Sequence, residues 1–260
     1  MSIIVKRTLI GLASATLLAI GTGPVLAQQL IAPDAPVAQL SQSYIAAQFG
    51  QWAIKYPADS NPMLDDSGAN AAAGDQGAFF FLGGSFTTDP VVRNLTVRTD
   101  QSLVINLTSV IDWMGGSLMT EAAIRQEAAN VQGVNPMLSL TVDGAPALMP
   151  AGFSSLEQFR QHSPLFPLSF GANNIAGVPE SVVPAIVDGY LVAMQPLSYG
   201  QHQLHVTTLT HGSGPFEGSS FSQDVTYNIS AVPEPSTWAS LALGLLVVGS
   251  LKLRGRGKAN

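Results

Sequence analysis

The chain has 260 residues, of which 46% are hydrophobic and only 11% are charged, and its mean hydropathy is +0.27. This composition excludes intrinsic disorder, which requires low hydrophobicity and high charge. The chain contains no cysteine, so a disulfide scaffold, a cysteine nucleophile and a thiolate zinc site are excluded.

The formal net charge of −6 combines regions of opposite sign. Residues 28–232 carry five positive and sixteen negative side chains, a net charge of −11, whereas both ends of the chain are basic. An acidic domain repels polyanions, and the sequence has no glycine-rich phosphate loop. We therefore expect no nucleic-acid partner.

Residues 1–27 have the three parts of a secretory signal peptide. Two basic residues precede an apolar run from Leu9 to Ile20, and small residues follow a helix-breaking segment. We predict that signal peptidase cuts between Ala27 and Gln28. The alternative is an uncleaved signal anchor, and in either case the following domain is exported.

Residues 41–231 are predicted to form one exported domain rich in β-strands, preceded by a flexible arm at residues 28–40, which is rich in proline, alanine and glutamine. Apolar and polar residues alternate in several runs, as expected for strands with one buried and one wet face. The fold class that we predict is mainly β, an antiparallel, jelly-roll-like β-sandwich with two or three short helices. The clearest runs lie at 103–108, 138–143, 204–206 and 225–230.

Local signals add turns and helices to this β framework. Asp143-Gly144 and Asp188-Gly189 are turn dipeptides between apolar runs, so both are predicted to close hairpins or tight corners. An apolar stripe with helical spacing predicts a first helix that ends before Pro57. Thr120 is predicted to cap a second helix that ends at Gly133. The stripe of the first helix consists of Ile45, Phe49, Trp52 and Tyr56.

The C-terminal segment 232–260 has its own organisation. A Pro-Glu-Pro turn precedes an apolar stretch, for which we predict a transmembrane helix over about 237–253. The apolar run of sixteen residues gives only about 24 Å of helix, which is short for a bilayer core of about 30 Å. A basic cluster at Lys252, Arg254 and Arg256 suits the cytoplasmic side of a membrane and forms the predicted membrane stop.

The order of these three parts resembles the PEP-CTERM sorting signal of bacteria that have an outer membrane. The resemblance covers the last 29 residues, and the motif itself is Pro233, Glu234 and Pro235. It implies that exosortase, a membrane-embedded cysteine transpeptidase or protease, recognises and cuts the tail. The protein would begin as a precursor anchored in the cytoplasmic membrane and would then reach the cell surface or the extracellular space. The alternative is a permanent single-pass anchor.

A looser resemblance covers residues 51–86 and the end of the domain. This part of the chain is similar to a family of uncharacterised exported bacterial proteins. The matching residues include Gln51-Trp52, Asn61-Pro62, Gln76-Gly77 and Phe81-Leu82. Relatives often carry two cysteines in the first half, and Ala71 and Leu95 stand in their places here. The resemblance implies a disulfide that this chain lacks, and it implies no activity.

An acidic loop is the most concentrated polar feature of the domain. Its acids are weak calcium candidates, because calcium binds several oxygen ligands from such loops. However, the EF-hand pattern is absent, and Asp, Asn, Ser and Gly are also the usual residues of turns. We favour turns and expect no cofactor. The candidate acids are Asp59, Asp65, Asp66 and Asp75.

No catalytic constellation stands out. The nucleophile motif Gly-x-Ser-x-Gly is absent. His202 and His205 are three positions apart, so on a regular strand they face opposite sides and cannot share a metal ion. Acids that could serve in glycoside hydrolysis are scattered, with Asp224 on the wet face of a predicted strand.

We therefore predict an exported protein of the cell surface or extracellular matrix that has a structural or binding role without catalysis, with extracellular polysaccharide as a candidate partner. The rival hypothesis is a secreted hydrolase that acts on polysaccharide. A cleft with two carboxyl groups and with walls such as Trp113 or Tyr190 would favour the rival. A flat polar surface would favour the structural role.

Overall fold

A computed structural model describes residues 28–234. This part of the chain contains two α-helices and ten β-strands, together with short 3-10 helices at Ala71–Gly74, Leu156–Phe159 and Gly214–Phe216. The elements are α1 (Gln42–Lys55), α2 (Glu121–Gln132), β1 (Phe79–Leu82), β2 (Val91–Arg98), β3 (Ser102–Trp113), β4 (Met137–Val142), β5 (Ala145–Pro146), β6 (Arg160–His162), β7 (Phe166–Phe170), β8 (Ser181–Met194), β9 (Gly200–His211) and β10 (Ser220–Val232).

The strands form two five-stranded sheets. Sheet one has the order β1-β3-β8-β6, with β7 also paired to β8, and sheet two has the order β2-β10-β9-β4-β5. The mainly β prediction is confirmed, but the prediction of an antiparallel sandwich is wrong at two strand pairs. β1 runs parallel to β3, and β2 runs parallel to β10, so both sheets are mixed. The jelly-roll description stays a prediction.

One apolar core joins the two sheets. In sheet one it takes alternate residues of β3, such as Leu103 and Ile105, and in sheet two it takes alternate residues of β10, such as Val225, Tyr227 and Ile229. Burial alternates strictly along β9 and over most of β10, because the opposite face of sheet two is wet. The predicted strands at these positions are confirmed.

Helix α1 covers the other face of sheet one. Ser41 caps its first turn by accepting a hydrogen bond from the Tyr44 backbone N–H. Ile45, Phe49 and Trp52 of the predicted stripe are buried, whereas Tyr56 follows the last helical residue and is half-buried. Phe49 and Trp52 pack on Phe81 of β1 with ring centroids 5.4 and 5.3 Å apart. The predicted first helix is confirmed.

Helix α2 lies on the opposite face of sheet one, the face that also packs against sheet two, at the end of the core. The Thr120 hydroxyl accepts a hydrogen bond from the Ala123 N–H, and the helix ends at Gly133, as predicted. Its buried Ile124 and Ala128 pack against Ile186 of β8. Sheet one is thus covered on both faces over most of its length.

The two predicted turn dipeptides have different outcomes. Asp143 and Gly144 both have positive φ and join β4 to β5, which is a tight hairpin turn as predicted. The prediction for Asp188-Gly189 is wrong, because both residues lie inside β8. A Cβ at Gly189 would meet the Ser109 Cα at 2.4 Å, so this glycine permits close approach of the neighbouring strand.

The segment 28–40 is packed on the domain, which contradicts the predicted flexible arm. Leu30 is 1% exposed and Val37 is 2% exposed. The Leu30 and Ile31 amides donate to the carbonyls of Leu148 and Ala193, so the segment is hydrogen-bonded on two sides. Its apolar residues enter the core, so the segment packs as part of the domain.

The predicted signal helix and transmembrane helix lie outside the described residues. The same is true of the predicted membrane-stop residues Lys252, Arg254 and Arg256. Between residues 28 and 234, neither helix has the length and hydropathy required to cross a membrane.

Candidate functional site

A cavity of about 310 Å³ opens between α1, β3, the start of β10 and three loops. We call it the apolar cavity, because most of its wall is hydrocarbon. None of the described residues that line it is ionisable. Phe86, Leu64 and Phe221 lie at its border and are 58%, 43% and 37% exposed. The lining residues are Phe49, Ala53, Ile54, Met63, Leu64, Gly84, Ser85, Phe86, Asn106, Thr108, Ser109, Ile111, Trp113, Ile175, Ala176, Phe221 and Gln223.

An irregularity in β3 brings polar residues to this cavity. The pairing of β3 with β8 shifts register between Asn106 and Thr108, so Leu107 is an extra residue at a β-bulge. A bulge changes which residues share a face. Asn106 before the bulge and Ser109 after it therefore both line the cavity, although regular alternation would place them on opposite faces.

The Asn106 side chain is 4% exposed and lacks hydrogen-bond partners among the described residues. Its Oδ1 is buried and accepts no hydrogen bond from them. Most buried polar side chains in folded proteins have a partner, and leaving one unpaired costs about 1–3 kcal/mol. Asn106 is thus a buried polar group with unused hydrogen-bonding capacity in a mainly apolar wall.

Gln223 fixes the geometry around the bulge. Its Nε2 donates to the Leu107 carbonyl, and its Oε1 accepts from the Ser85 N–H at 2.9 Å. The side chain is 3% exposed. Gln223 therefore links β10 of sheet two to β3 of sheet one and to the loop after β1.

Arg93 holds two of the cavity loops in place. It is 3% exposed, and all its hydrogen bonds go to backbone carbonyls. Its Nε donates to the Asp65 carbonyl at 2.7 Å, and its Nη1 donates to the carbonyls of Gly83 and Gly84. Tyr227 donates to the same Gly83 carbonyl, and burial raises the pKa of its hydroxyl to about 12 although Arg93 opposes the shift. Both groups are structural supports behind the cavity.

A second, shallower depression of about 440 Å³ lies on the outer side of α1. We call it the glutamine groove, because three glutamine side chains line it beside Trp52, Lys55 and Tyr56. The Trp52 Nε1 donates to the Ala73 carbonyl at 2.7 Å, and the residue is 4% exposed. Trp52 is thus mainly a core residue that shows one edge. The three glutamines are Gln48, Gln51 and Gln76.

The acidic loop is organised by its own hydrogen bonds. The Asp65 carboxylate accepts from the backbone of Ser67, Gly68 and Asn70 at 2.7–3.1 Å, and from the Ser67 hydroxyl. Burial would raise the pKa of Asp65, but these hydrogen bonds outweigh it and lower the pKa. Such bonding is typical of a turn, which is the interpretation that we favoured.

The other calcium candidates do not converge with Asp65. Asp75 accepts from the Gln101 amide and the Gly77 N–H, and it pairs with Arg98 at 3.3 Å. Within residues 28–234 no group of three or more His, Asp or Glu side chains is arranged to hold a metal ion. Asp59 and Asp66 have no place in such a group.

Sequence reasoning missed a contact between a serine, a histidine and an acid. His202 Nδ1 lies 2.8 Å from Asp143 Oδ2, and its Nε2 lies 3.1 Å from Ser198 Oγ. The Nε2 also lies 3.0 Å from the Ser198 carbonyl oxygen, which can only accept. A ring that donates there has no free Nε2 lone pair for the serine proton. Asp143 also accepts from the Gln203 N–H, so this network fastens the β4–β5 turn to β9.

Other predicted residues occupy structural positions. His202 and His205 face opposite sides of β9, as predicted, and His205 pairs with Asp224 at 2.7 Å on the wet face of sheet two. Trp113 does line the apolar cavity. Tyr190, the other aromatic wall residue that we considered, is 4% exposed and packs against Arg160, away from the cavity.

The sorting motif begins directly after the last strand. β10 ends at Val232, whose carbonyl accepts from the Thr99 N–H at 2.9 Å, and Pro233 follows at once. The Glu234 carboxylate lies 3.9 Å from the Arg98 guanidinium. The folded domain therefore extends to the motif without a linker.

Comparisons with known proteins identify this C-terminal segment. Residues 231–256 match the family model of the PEP-CTERM protein-sorting motif. The resemblance that the sequence showed is thereby confirmed for the tail. Neither the search of curated proteins nor that of solved structures returned a significant match.

Proposed function

We propose that this chain, which carries an exosortase sorting motif, is a binding component of the cell surface or extracellular matrix and has no catalytic role. The motif implies an exported protein that exosortase processes and that is sorted to the cell surface. The motif follows β10 directly, so processing at the motif would take place next to the folded domain. The specific role must come from the domain itself.

One observation carries the choice of binding over hydrolysis. Neither the apolar cavity nor the glutamine groove has a carboxylate among its described lining residues. Glycoside hydrolysis requires two carboxyl groups on either side of the substrate, about 5–9.5 Å apart. Concave surfaces with amide, hydroxyl and aromatic groups but without such a pair are suited to holding a ligand rather than cleaving it.

Extracellular polysaccharide is the partner that we propose for the glutamine groove. The Gln51 amide is occupied by the Ser169 backbone, and the Gln76 Nε2 is occupied by the carbonyls of Ala73 and Asp75. The Gln48 amide and the Gln76 Oε1 are therefore the groups that can exchange hydrogen bonds with sugar hydroxyls. Tyr56 offers a ring surface beside them. Lys55 adds a single positive charge, which suits an acidic saccharide.

The test uses the full chain purified in mild detergent. A glycan array and a hydrolysis screen with the same saccharides separate the two hypotheses. We expect retention without product formation, and we expect Tyr56→Ser to weaken retention on the order of tenfold. The matched control is Tyr199→Ser, which changes an exposed tyrosine outside the groove. Turnover of any saccharide would replace this proposal with the hydrolase.

Processing has its own test. In cells that lack exosortase, we expect the chain to stay in the membrane fraction at the mass of the precursor. In wild-type cells, we expect a smaller product at the surface or in the medium. Replacement of Glu234 by Gln keeps the size of the side chain and tests the motif directly. An unchanged mass in both strains would favour a permanent anchor.

A further inference from the structure

We infer that the apolar cavity is a binding site for a neutral, mainly apolar small molecule that carries one hydroxyl or amide group. The inference shares with the proposed function only the premise of a binding role. It concerns a different surface, because polysaccharide is assigned to the glutamine groove. It rests on the chemistry of the wall, the unpaired amide of Asn106 and the position of the opening.

The wall excludes charged ligands. Burial of an ionised group without a partner is costly, and none of the described lining residues could neutralise a charge. The volume of about 310 Å³ lies at the lower end of the range for small-molecule sites. Aromatic side chains from four separate segments face the space: Phe49, Phe86, Trp113 and Phe221.

Asn106 determines the polar part of the ligand. Its Oδ1 is buried without a partner among the described residues, so the amide has unused hydrogen-bonding capacity, as an acceptor or, with the amide flipped, as a donor. A hydroxyl or amide group on the ligand can exchange hydrogen bonds with it. Gln223 cannot take this role, because its amide is occupied by Ser85 and Leu107.

Several local irregularities coincide here. The bulge at Leu107, an unpartnered buried amide and exposed aromatic residues all lie at one cavity. Departures from regular packing are expected where a fold serves a function rather than its own stability. Each of these features alone would be unremarkable, but together they describe an apolar wall with one unused polar group.

The opening is also placed well for a ligand from outside. Gln223 lies near the start of β10, and the chain reaches the sorting motif after Val232, nine residues later. At about 3.4 Å per residue, the cavity lies roughly 30 Å along the strand from the sorting tail. The attachment to the membrane before processing therefore does not require the cavity to be blocked.

The experiment compares three ring systems of the same size: 2-naphthol, naphthalene and 2-naphthoate. Each is titrated calorimetrically into the full chain in detergent, and the heat of a detergent blank is subtracted. We expect 2-naphthol to bind with a stoichiometry of one. We expect naphthalene to bind on the order of tenfold more weakly, because it leaves Asn106 unpaired. We expect 2-naphthoate to show the weakest binding of the three.

Variants separate the cavity from non-specific uptake. Asn106→Leu removes the amide and keeps the volume, so it should weaken 2-naphthol about tenfold while leaving naphthalene within about threefold. Ile111→Trp should fill the cavity and abolish both. Ala176→Trp, in a loop at the cavity, does the same if the first filling variant does not fold. Val182→Trp, at a position that is 66% exposed and away from the cavity, should bind like the wild type.

The inference is overturned if 2-naphthol does not bind, if filled variants bind it like the wild type, or if all three probes bind equally. A positive glycan array with such a result would leave the proposed surface role intact. A negative glycan array with specific 2-naphthol binding would remove the polysaccharide partner and keep the cavity.

Discussion

Sheet one and sheet two share a core but have different surroundings on their outer faces. Sheet two leaves its outer face to water, so β9 and most of β10 alternate between buried and partly exposed residues. The outer face of sheet one is covered by α1, and its inner face is covered by sheet two and α2, so ten consecutive residues of β8 are buried. We therefore expect β9 to tolerate change at every second position, whereas the buried stretch 185–194 of β8 should tolerate almost none. The bulge at Leu107 and the unpaired amide of Asn106 lie at the apolar cavity, where α1 leaves part of sheet one uncovered.

The largest effect is expected at Arg93, a buried arginine on β2, the edge strand of sheet two. Arg93 points into the protein from β2, and its guanidinium satisfies carbonyls of Asp65, Gly83 and Gly84. Arg93→Met should lower the free energy of unfolding by about 4 kcal/mol, because these buried carbonyls lose their donor. Chemical denaturation measures the change. The control is Arg98→Met on the same strand, where partial exposure limits the expected loss to about 1 kcal/mol. Equal losses would contradict a special role for Arg93.

The next effect tests how closely the strands of sheet one approach. Gly189→Ala places a Cβ 2.4 Å from the Ser109 Cα, so β3 and β8 must separate. We expect a loss of about 3 kcal/mol in the free energy of unfolding. Gly171→Ala is the matched control, because nothing lies within 4 Å of its Cβ and its φ is not positive. Equal melting temperatures for Gly189→Ala and Gly171→Ala would refute the close packing of β3 and β8.

The same contrast explains what could be predicted from the sequence. Alternation located β4, β9 and β10, because their wet faces carry polar residues. The buried part of β8 has no alternation of apolar and polar residues, because both of its faces are covered. The local sequence therefore predicts a turn at Asp188-Gly189. Asp188 is buried because Arg160 binds its carboxylate with two hydrogen bonds, at 2.7 and 2.9 Å. A partner 28 positions away cannot be seen from local sequence.

The cavity was equally hidden. Its residues come from α1, β3, β10 and three loops, and the bulge at Leu107 reverses the parity of β3 within a run that reads as regular. Asn106 and Gln223 looked like ordinary polar positions in β-strands. The tail was predictable, by contrast, because the sorting motif is a linear signal that needs no fold for recognition.

A smaller effect concerns the two positions at which the looser resemblance of the domain implies cysteine. Ala71 and Leu95 line the same small cavity, between a 3-10 helix and the edge strand β2 of sheet two. The double variant Ala71→Cys, Leu95→Cys should form a disulfide on oxidation. Closing a loop of about 25 residues should raise the free energy of unfolding by about 2.5 kcal/mol, somewhat below the chain-entropy value.

Thiol titration and denaturation with and without reductant measure this gain. Each single cysteine variant is a control that cannot form the cross-link within one chain. Failure of the oxidised double variant to lose both thiols would show that these positions are not paired, and it would weaken the resemblance to the cysteine-containing relatives.

The smallest effect is a pH-dependent change in stability, which we expect for a buried aspartate of sheet one and not for an exposed aspartate of sheet two. Asp112 of β3 is 8% exposed, and burial raises its pKa to about 6. A hydrogen bond from the Trp113 N–H opposes this shift, and the negative charge of Glu127 adds to it. The unfolded chain has the ordinary pKa of 3.8, so the folded chain holds the proton more tightly. Below about pH 4 both states are protonated and Asp112 carries no penalty. As the pH rises from about 4 to 6, the contribution of Asp112 lowers stability, and the penalty stays constant above that range.

Asp112→Asn removes this dependence. The variant should be more stable than the wild type by about 2 kcal/mol at pH 8, and the difference should fade towards pH 4. Asp224→Asn is the control on sheet two, where the carboxylate is part of a solvent-exposed pair and a change below about 1 kcal/mol is expected. Denaturation at pH 4, 6 and 8 measures both. A gain for Asp112→Asn that does not vary with pH would mean that the aspartate acts through its shape or hydrogen bonding and not through its buried charge.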